Sequence, residues 1–456
     1  MKIIVLNGSP KGDISVTMQY VAYIRKKFPQ HELKIINTSQ RINKIEKDES
    51  VFRGIVDDVR SSDGVLWAFP LYLLLVPSQY KRFIELIWER GALNAFKDRP
   101  AAVLTTSIHF FDHTAHDYMR AICDDLEMRF VGAFPAHMRD LMQKEGREKL
   151  SLFASTFFEA IEKKAPATKI YKPMINGNLD YVPSRSQDKI DDKGKRVVIV
   201  TDSEDSRTNL GRMLERFKDS FSSPVEVINI SEMNIKGHCL GCLHCGFDYL
   251  CRYDGKDDFN EIYRTKVQTA DILVYAGTIV DRYLSSRWHM FFCRSFFYNH
   301  TPSLVSKQVG FIISGPLSQT STLRQVMEGW IQIQQSHLVD FISDEYDDSA
   351  TLDMLLTDLA RRLISFSEKG YIRPRNFLGV AGMKVFRDEI YGGLRGVFQA
   401  DHSYYKKHGL YDFPQKDYKK RFMADVMTIF SKIPPIRKEF PRRIKKGMIK
   451  PYQKYL

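Results

Sequence analysis

The chain has 456 residues, 43% hydrophobic and 27% charged, with 68 Lys and Arg against 55 Asp and Glu. At about 150 residues per domain, that length predicts two to three domains, and the composition excludes a wholly disordered chain. The longest apolar run, residues 67–77, is too short to span a bilayer, and the amino terminus carries too few apolar residues for a signal peptide. A cytoplasmic protein with no membrane span is expected.

Taken in chain order, residues 2–7 (KIIVLN) read as a buried strand, followed by a Gly/Ser/Pro turn and a helix over about 15–28. Further strands are predicted at 32–37, 64–69, 101–106 and 130–134, each separated by enough chain for the crossover helix that parallel strands require. Residues 1–165 are therefore expected to form a doubly wound, flavodoxin-like α/β domain. Residues 166–194, rich in Pro, Gly and charge, read as a linker.

The same pattern restarts at 196–201 (RVVIVT), with a helix over about 208–221 and strands at 225–230, 271–276, 309–314 and 338–342. A second doubly wound parallel-sheet domain is predicted over 195–370. Strand starts at Lys2 and Arg196 lie 194 residues apart, and those at Gly64 and Asp271 lie 207 apart, which points to a diverged duplication. About 13 extra residues thus fall between the first and third strands of the second half, and a cysteine cluster lies in that interval. Residues 371–456, a basic C-terminal extension, resemble neither half. Residues 434–456 hold eight Lys and Arg against one Glu. A solvated tail packed across the domains and a docking surface for an acidic protein partner are the two readings. No nucleic-acid motif accompanies the charge, so no nucleic-acid partner is expected.

The first turn, Asn7-Gly8-Ser9-Pro10-Lys11 continuing to Ser15-Val16-Thr17, joins a buried strand to a helix start. A phosphate there would meet helix N–H groups, small hydroxyls and the positive end of the helix dipole. Neither a Walker A motif nor a GxGxxG fingerprint is present, which favours a monophosphate such as that of FMN over ATP or Rossmann-type NAD. Pro70-Leu71-Tyr72-Leu73 and Thr105-Thr106-Ser107-Ile108 follow strand ends at the carboxyl edge, where such a fold places its ligand. The second half's first turn, 202–209 (DSEDSRTN), has three carboxylates, no glycine and only Arg207 to offset them, so the second half is expected to be flavin-free.

GSPK followed by SVT, then PLY with VPSQYK, resembles the NAD(P)H-dependent FMN reductase branch of flavodoxin-like proteins. The resemblance implies that Ser9, Lys11, Ser15 and Thr17 hold the FMN phosphate and that residues 70–73 and 105–108 border the ring. Val16 stands where the usual pattern has Asn. Cys239, Cys242, Cys245 and Cys251 form C-x2-C-x2-C-x5-C, a spacing able to wrap one [4Fe–4S] cluster without long-range assembly. The motif is similar to that of iron–sulfur flavoproteins, whose cluster exchanges electrons with FMN, and Asp257-Asp258-Phe259 and the helix Arg287–Cys293-Arg294 also resemble that family. A structural zinc and a relic loop holding nothing remain as competing readings. The function expected is electron transfer by FMN and [4Fe–4S], with NAD(P)H or a ferredoxin as redox partner and a homo-oligomer left open. A cluster-free flavin or quinone reductase and a non-enzymatic binding protein are the alternatives.

Overall fold

The structure is a computed structural model describing residues 1–177, 179–186, 189–412, 417–437 and 453. Five strands make a first all-parallel sheet: β1 (Lys2–Asn7), β2 (Glu32–Asn37), β3 (Gly64–Pro70), β4 (Pro100–Ser107) and β5 (Arg129–His137). Their spatial order is β2-β1-β3-β4-β5. The second sheet comprises β6 (Val197–Thr201), β7 (Glu226–Asn229), β8 (Ile272–Thr278), β9 (Gln308–Ser314) and β10 (His337–Ser343). Its order, β10-β9-β8-β6-β7, is the same topology read from the other edge. Two flavodoxin-like α/β folds therefore stand in tandem. Runs such as IIVL in β1 are wholly buried because helices cover both faces of a parallel sheet.

The first half carries α1 (Val16–Lys27), α2 (Ile42–Lys47), α3 (Glu49–Arg60), α4 (Ser78–Glu89), α5 (Asp112–Asp125) and α6 (Lys144–Glu162). The second carries α7 (Asn209–Asp219), α8 (Phe259–Ile262), α9 (Ser286–Ser295), α10 (Ser321–Ile333) and α11 (Ser349–Lys369). After it come α12 (Phe377–Tyr391), α13 (Gln399–Lys407) and α14 (Tyr418–Ser431). Side chains of α1 and α6 meet β1, β3 and β4 in one apolar core, while α7 and α11 build its counterpart on the second sheet. Both α1 and α7 start on a side-chain cap: Ser15 accepts from the Met18 N–H and Thr208 from that of Gly211.

The structure refines three expectations. Asn7 pairs with Ala68 and Thr201 with Ala276, so Pro70 corresponds to Thr278, one residue beyond the Gly277 that strand spacing selects. Spacing between predicted strand starts is blind to a shift of one residue at a strand end. The described positions of the linker, 166–194, are largely exposed but tied down at points: Asp124 accepts from the Ile170 and Tyr171 N–H groups, and buried Tyr181 donates its hydroxyl to Asp353. Positions 178, 187 and 188 of that stretch lie outside the described residues. Finally, the extension is not all tail. Met1–Tyr404 is one compact unit and Tyr405–Leu456 a second. Within the first unit, α12 packs on α10, where a Cβ at Gly379 would come within 2.7 Å of Gln332. Most of residues 434–456, on which the tail readings rest, lies outside the described residues.

Candidate functional site

The turn after β1 is built by its own side chains. Asn7 is held by Asn37, and its Oδ1 accepts the Ser9 N–H at 2.9 Å. Gly8 has no room for a side chain: a Cβ would lie 2.7 Å from Phe69 and Tyr80. Gly12 takes the left-handed φ of +61° that glycine adopts without strain. This folds the chain back so that Ser15 caps α1 and the positive end of that helix faces the turn. Ser9, Ser15 and Thr17 are all buried. The Thr17 hydroxyl lies 2.6 Å from that of Thr106, tying the first turn to the carboxyl end of β4.

The two segments expected from the sequence to border a ring are conformationally demanding. In Tyr72–Leu75 the chain reverses through Leu73 and Leu74, at φ of +45° and +67°, closed by the Tyr72 N–H to Leu75 carbonyl bond at 2.9 Å. Two consecutive non-glycine residues at positive φ are strained, and the surrounding packing holds them there. Beyond β4, Ser107 accepts from the His109 N–H, and His109 and Phe111 also take positive φ. His116 lies 2.8 Å from the Thr105 hydroxyl, and burial pulls its pKa down to about 4. It is thus a neutral partner of the loop at ordinary pH.

The cysteine loop of the second half lies directly on the first half's loops. Gly241, at φ +59°, leaves no space over Tyr72: a Cβ there would come 1.7 Å from the Tyr72 hydroxyl and 3.4 Å from Lys11 Cε. Gln79, at the start of α4, donates to the Cys239 carbonyl at 2.9 Å, and His238 lies 2.9 Å from the Ser78 hydroxyl. Burial, then the neighbouring thiols of Cys239, Cys293 and Cys242, push the Tyr72 hydroxyl well above its ordinary pKa.

All four clustered cysteines line one half-open cavity with Tyr253, Arg294, Phe296 and Phe297. Among the described residues, no three His, Cys, Asp or Glu side chains converge to hold a single metal ion. A structural zinc takes four thiolates at about 2.3 Å, and a [4Fe–4S] cluster takes four around a larger body. Four cysteine thiols are donors that either would use. Burial raises Cys239 to about 11 and lifts Cys245 further, so as free thiols they are protonated and would release protons on binding iron.

Arg294 is the residue that spacing alone underrates. It is buried, bidentate to Asp257 at 2.8 and 3.0 Å, and donates to the Gly237 carbonyl at 2.9 Å, placing fixed positive charge in the cavity wall. Asn299 is the residue the sequence reading missed. At φ +51° it accepts from the Cys245 thiol at 3.2 Å and donates to the Cys245 carbonyl at 2.8 Å. Its only sequence signal is that Asn tolerates positive φ.

Lys81, the cation near the second loop, turns away from that loop into the seam between the halves. It bonds both Asp281 carboxylate oxygens at 2.9 and 2.8 Å and lies 3.2 Å from Glu85. Tyr118 donates to Asp281 at 2.9 Å, and Glu85 accepts from the backbone and hydroxyl of Ser286 at the start of α9. Burial opposes the Lys81 charge, but the two carboxylates outweigh it and hold the ammonium above its ordinary pKa. His289 on α9 donates to the Val76 carbonyl at 2.7 Å, and burial lowers its pKa to about 3.

The first turn of the second half is organised around its own acids. Arg207 binds Asp205, whose pKa falls to about 2, and the half-buried Asp202 accepts from the Ser285 hydroxyl.

Residues 1–138 match the family model described as NADPH-dependent FMN reductase. No curated protein matches the chain. Among solved structures, the chain is similar to FerB, a flavoenzyme NAD(P)H:(acceptor) oxidoreductase from Paracoccus denitrificans, at 22% identity over 36% of this chain and 97% of that one, with a TM-score of 0.30. It is also similar to an FMN-dependent NADH-azoreductase from Bacillus anthracis, solved with FMN, at 14% identity over 36% and 100%, TM-score 0.27. A third is general stress protein 14 from Treponema denticola, solved with FMN, at 12% identity over 36% and 98%, TM-score 0.26.

Proposed function

We propose that this chain is an NAD(P)H-dependent FMN oxidoreductase that also carries a [4Fe–4S] cluster, with FMN on the first sheet and the cluster in the cysteine loop of the second. The observation that carries this reading is the contact of Gly241 with Tyr72 and Lys11, which sets a four-thiol cavity beside the loops that resemble a flavin site. The match of residues 1–138 supports the flavin and the nicotinamide donor.

In this reading Ser9, Lys11 and Ser15 hold the phosphate, with Thr17 fixing that turn to the carboxyl end of β4. Residues 70–73 and 105–108 border the ring, and Tyr72 shields the side facing the cysteines. Cys239, Cys242, Cys245 and Cys251 hold the cluster, and Arg294 offsets part of its negative charge. Bound FMN exchanges electrons in pairs or singly and a cluster singly, which is the chemistry the pairing supplies. The functional division is 1–165 for the flavin and 195–370 for the cluster, with a ferredoxin-like protein as the partner served by the cluster.

Anaerobic purification from iron-replete cells tests the reading. The expected product contains about one FMN and about four irons with matching sulfide per chain. Protein that carries neither, and whose melting temperature does not rise with FMN, overturns it.

A further inference from the structure

Outside the site, α14 (Tyr418–Ser431) presents an apolar face to solvent. With 3.6 residues per turn, Phe422, Met423, Val426, Met427, Ile429 and Phe430 fall within about half the circumference. Phe422 is 69% exposed, Ile429 64% and Phe430 50%, where side chains of this size are ordinarily covered. Cations stand at both ends of the helix: Lys419 lies one turn before Phe422 and Lys432 just past Ser431, and both are exposed. Residues 417–456 together hold twelve Lys and Arg against three Asp and Glu, so nine of the chain's thirteen net positive charges lie here.

Apolar depth beside dense positive charge matches one surface in particular. A nucleic acid would meet the charge but leave the Phe, Met and Ile side chains in water. An acidic protein would need a groove shaped for this helix. An anionic bilayer takes the apolar face into its acyl boundary while its headgroups meet the lysines and arginines, and it requires no matching shape. At 14 residues α14 is about 21 Å long, short of the roughly 30 Å hydrocarbon core. Among the described residues no helix is long and apolar enough to cross a membrane.

We propose that α14 is a peripheral anchor that lies in the plane of an anionic lipid surface. This goes beyond the redox reading and does not depend on it.

The test is co-sedimentation of the full-length protein with vesicles of phosphatidylglycerol and phosphatidylcholine, set against phosphatidylcholine alone, at low and at physiological salt. Binding to the anionic vesicles is expected to be at least about tenfold tighter and to weaken with salt. A Phe422→Asp/Phe430→Asp variant and a Lys419→Glu/Lys432→Glu variant are each expected to lose about tenfold or more. These four side chains are exposed, so the fold is not at risk, and circular dichroism verifies that. Equal binding to both vesicle types overturns the proposal. So does undiminished binding by the Phe variant, which would reduce the effect to charge alone. Binding of soluble poly-glutamate with indifference to anionic vesicles also overturns it, in favour of an acidic protein partner.

Discussion

The two sheets share one strand order, yet their first turns have opposite electrostatic characters. After β1 the chain offers Gly8, buried Ser9, left-handed Gly12 and a serine-capped helix. After β6 it offers Asp202, Glu204 and Asp205, with Asp205 already paired to Arg207. One turn presents small hydroxyls at a capped helix start, and the other presents carboxylates. The second half in turn bears the cysteine loop that the first lacks. A duplicated scaffold can therefore divide its labour through its loops while its cores remain alike.

The largest expected break of this comparison is electrostatic. Ser9→Glu should weaken FMN binding by at least about a hundredfold in a fluorescence titration, because a carboxylate would face the phosphate in a low-dielectric turn. Ser203→Glu, the matching change in the second half, should leave the affinity unaltered. Equal losses from both would end the asymmetry. Next, Cys242→Ser is expected to empty the cysteine loop of iron and sulfide while FMN content persists. Iron that stays at the wild-type level would remove Cys242 from the ligand set.

The seam between the halves gives the third test. Lys81→Met strands Asp281 and Glu85 as buried carboxylates, with an expected loss of about 3–5 kcal/mol in denaturant unfolding. A loss below about 1 kcal/mol would mean the seam is wet and the halves are coupled weakly.

The smallest effect sharpens how each half responds to acid. His116 in the first half sits near a pKa of about 4 and His289 in the second near about 3, both lowered by burial, against about 6.5 in an unfolded chain. The unfolded chain takes up these protons first. The stabilisation is therefore complete above about pH 6.5 and is lost as pH falls toward the folded values. Between pH 7 and 5 the loss is on the order of 2 kcal/mol for His289 and less for the partly exposed His116. Thermal melts at the two pH values check this, and His289→Asn should flatten the His289 share.

Much of the fold was legible because parallel strands buried on both faces appear as short apolar runs. All ten are present, with ends displaced by a few residues, as β5 shows by extending to His137. The one-residue offset at Pro70 and Thr278 was not legible, since it lies in pairing between strands rather than in any single strand. Nor was the docking of α12 on α10, which depends on small residues at Gly379 and Gly382 meeting side chains about fifty residues away.

Within the candidate site, the sequence alone determined what is local: a strand–turn–helix with small hydroxyls, and four thiols close enough along the chain to share one cavity. Backbone geometry over a dozen residues is sufficient to bring such groups together. Only the tertiary structure decided that the thiol loop covers Tyr72 and that Lys81 serves the seam. It also decided that Arg294 with Asp257 walls the cavity. Gln79 and Cys239 are 160 residues apart, and Lys81 and Asp281 are 200 apart. Contacts at that separation follow from how two sheets pack against each other, and no periodicity within either segment encodes it.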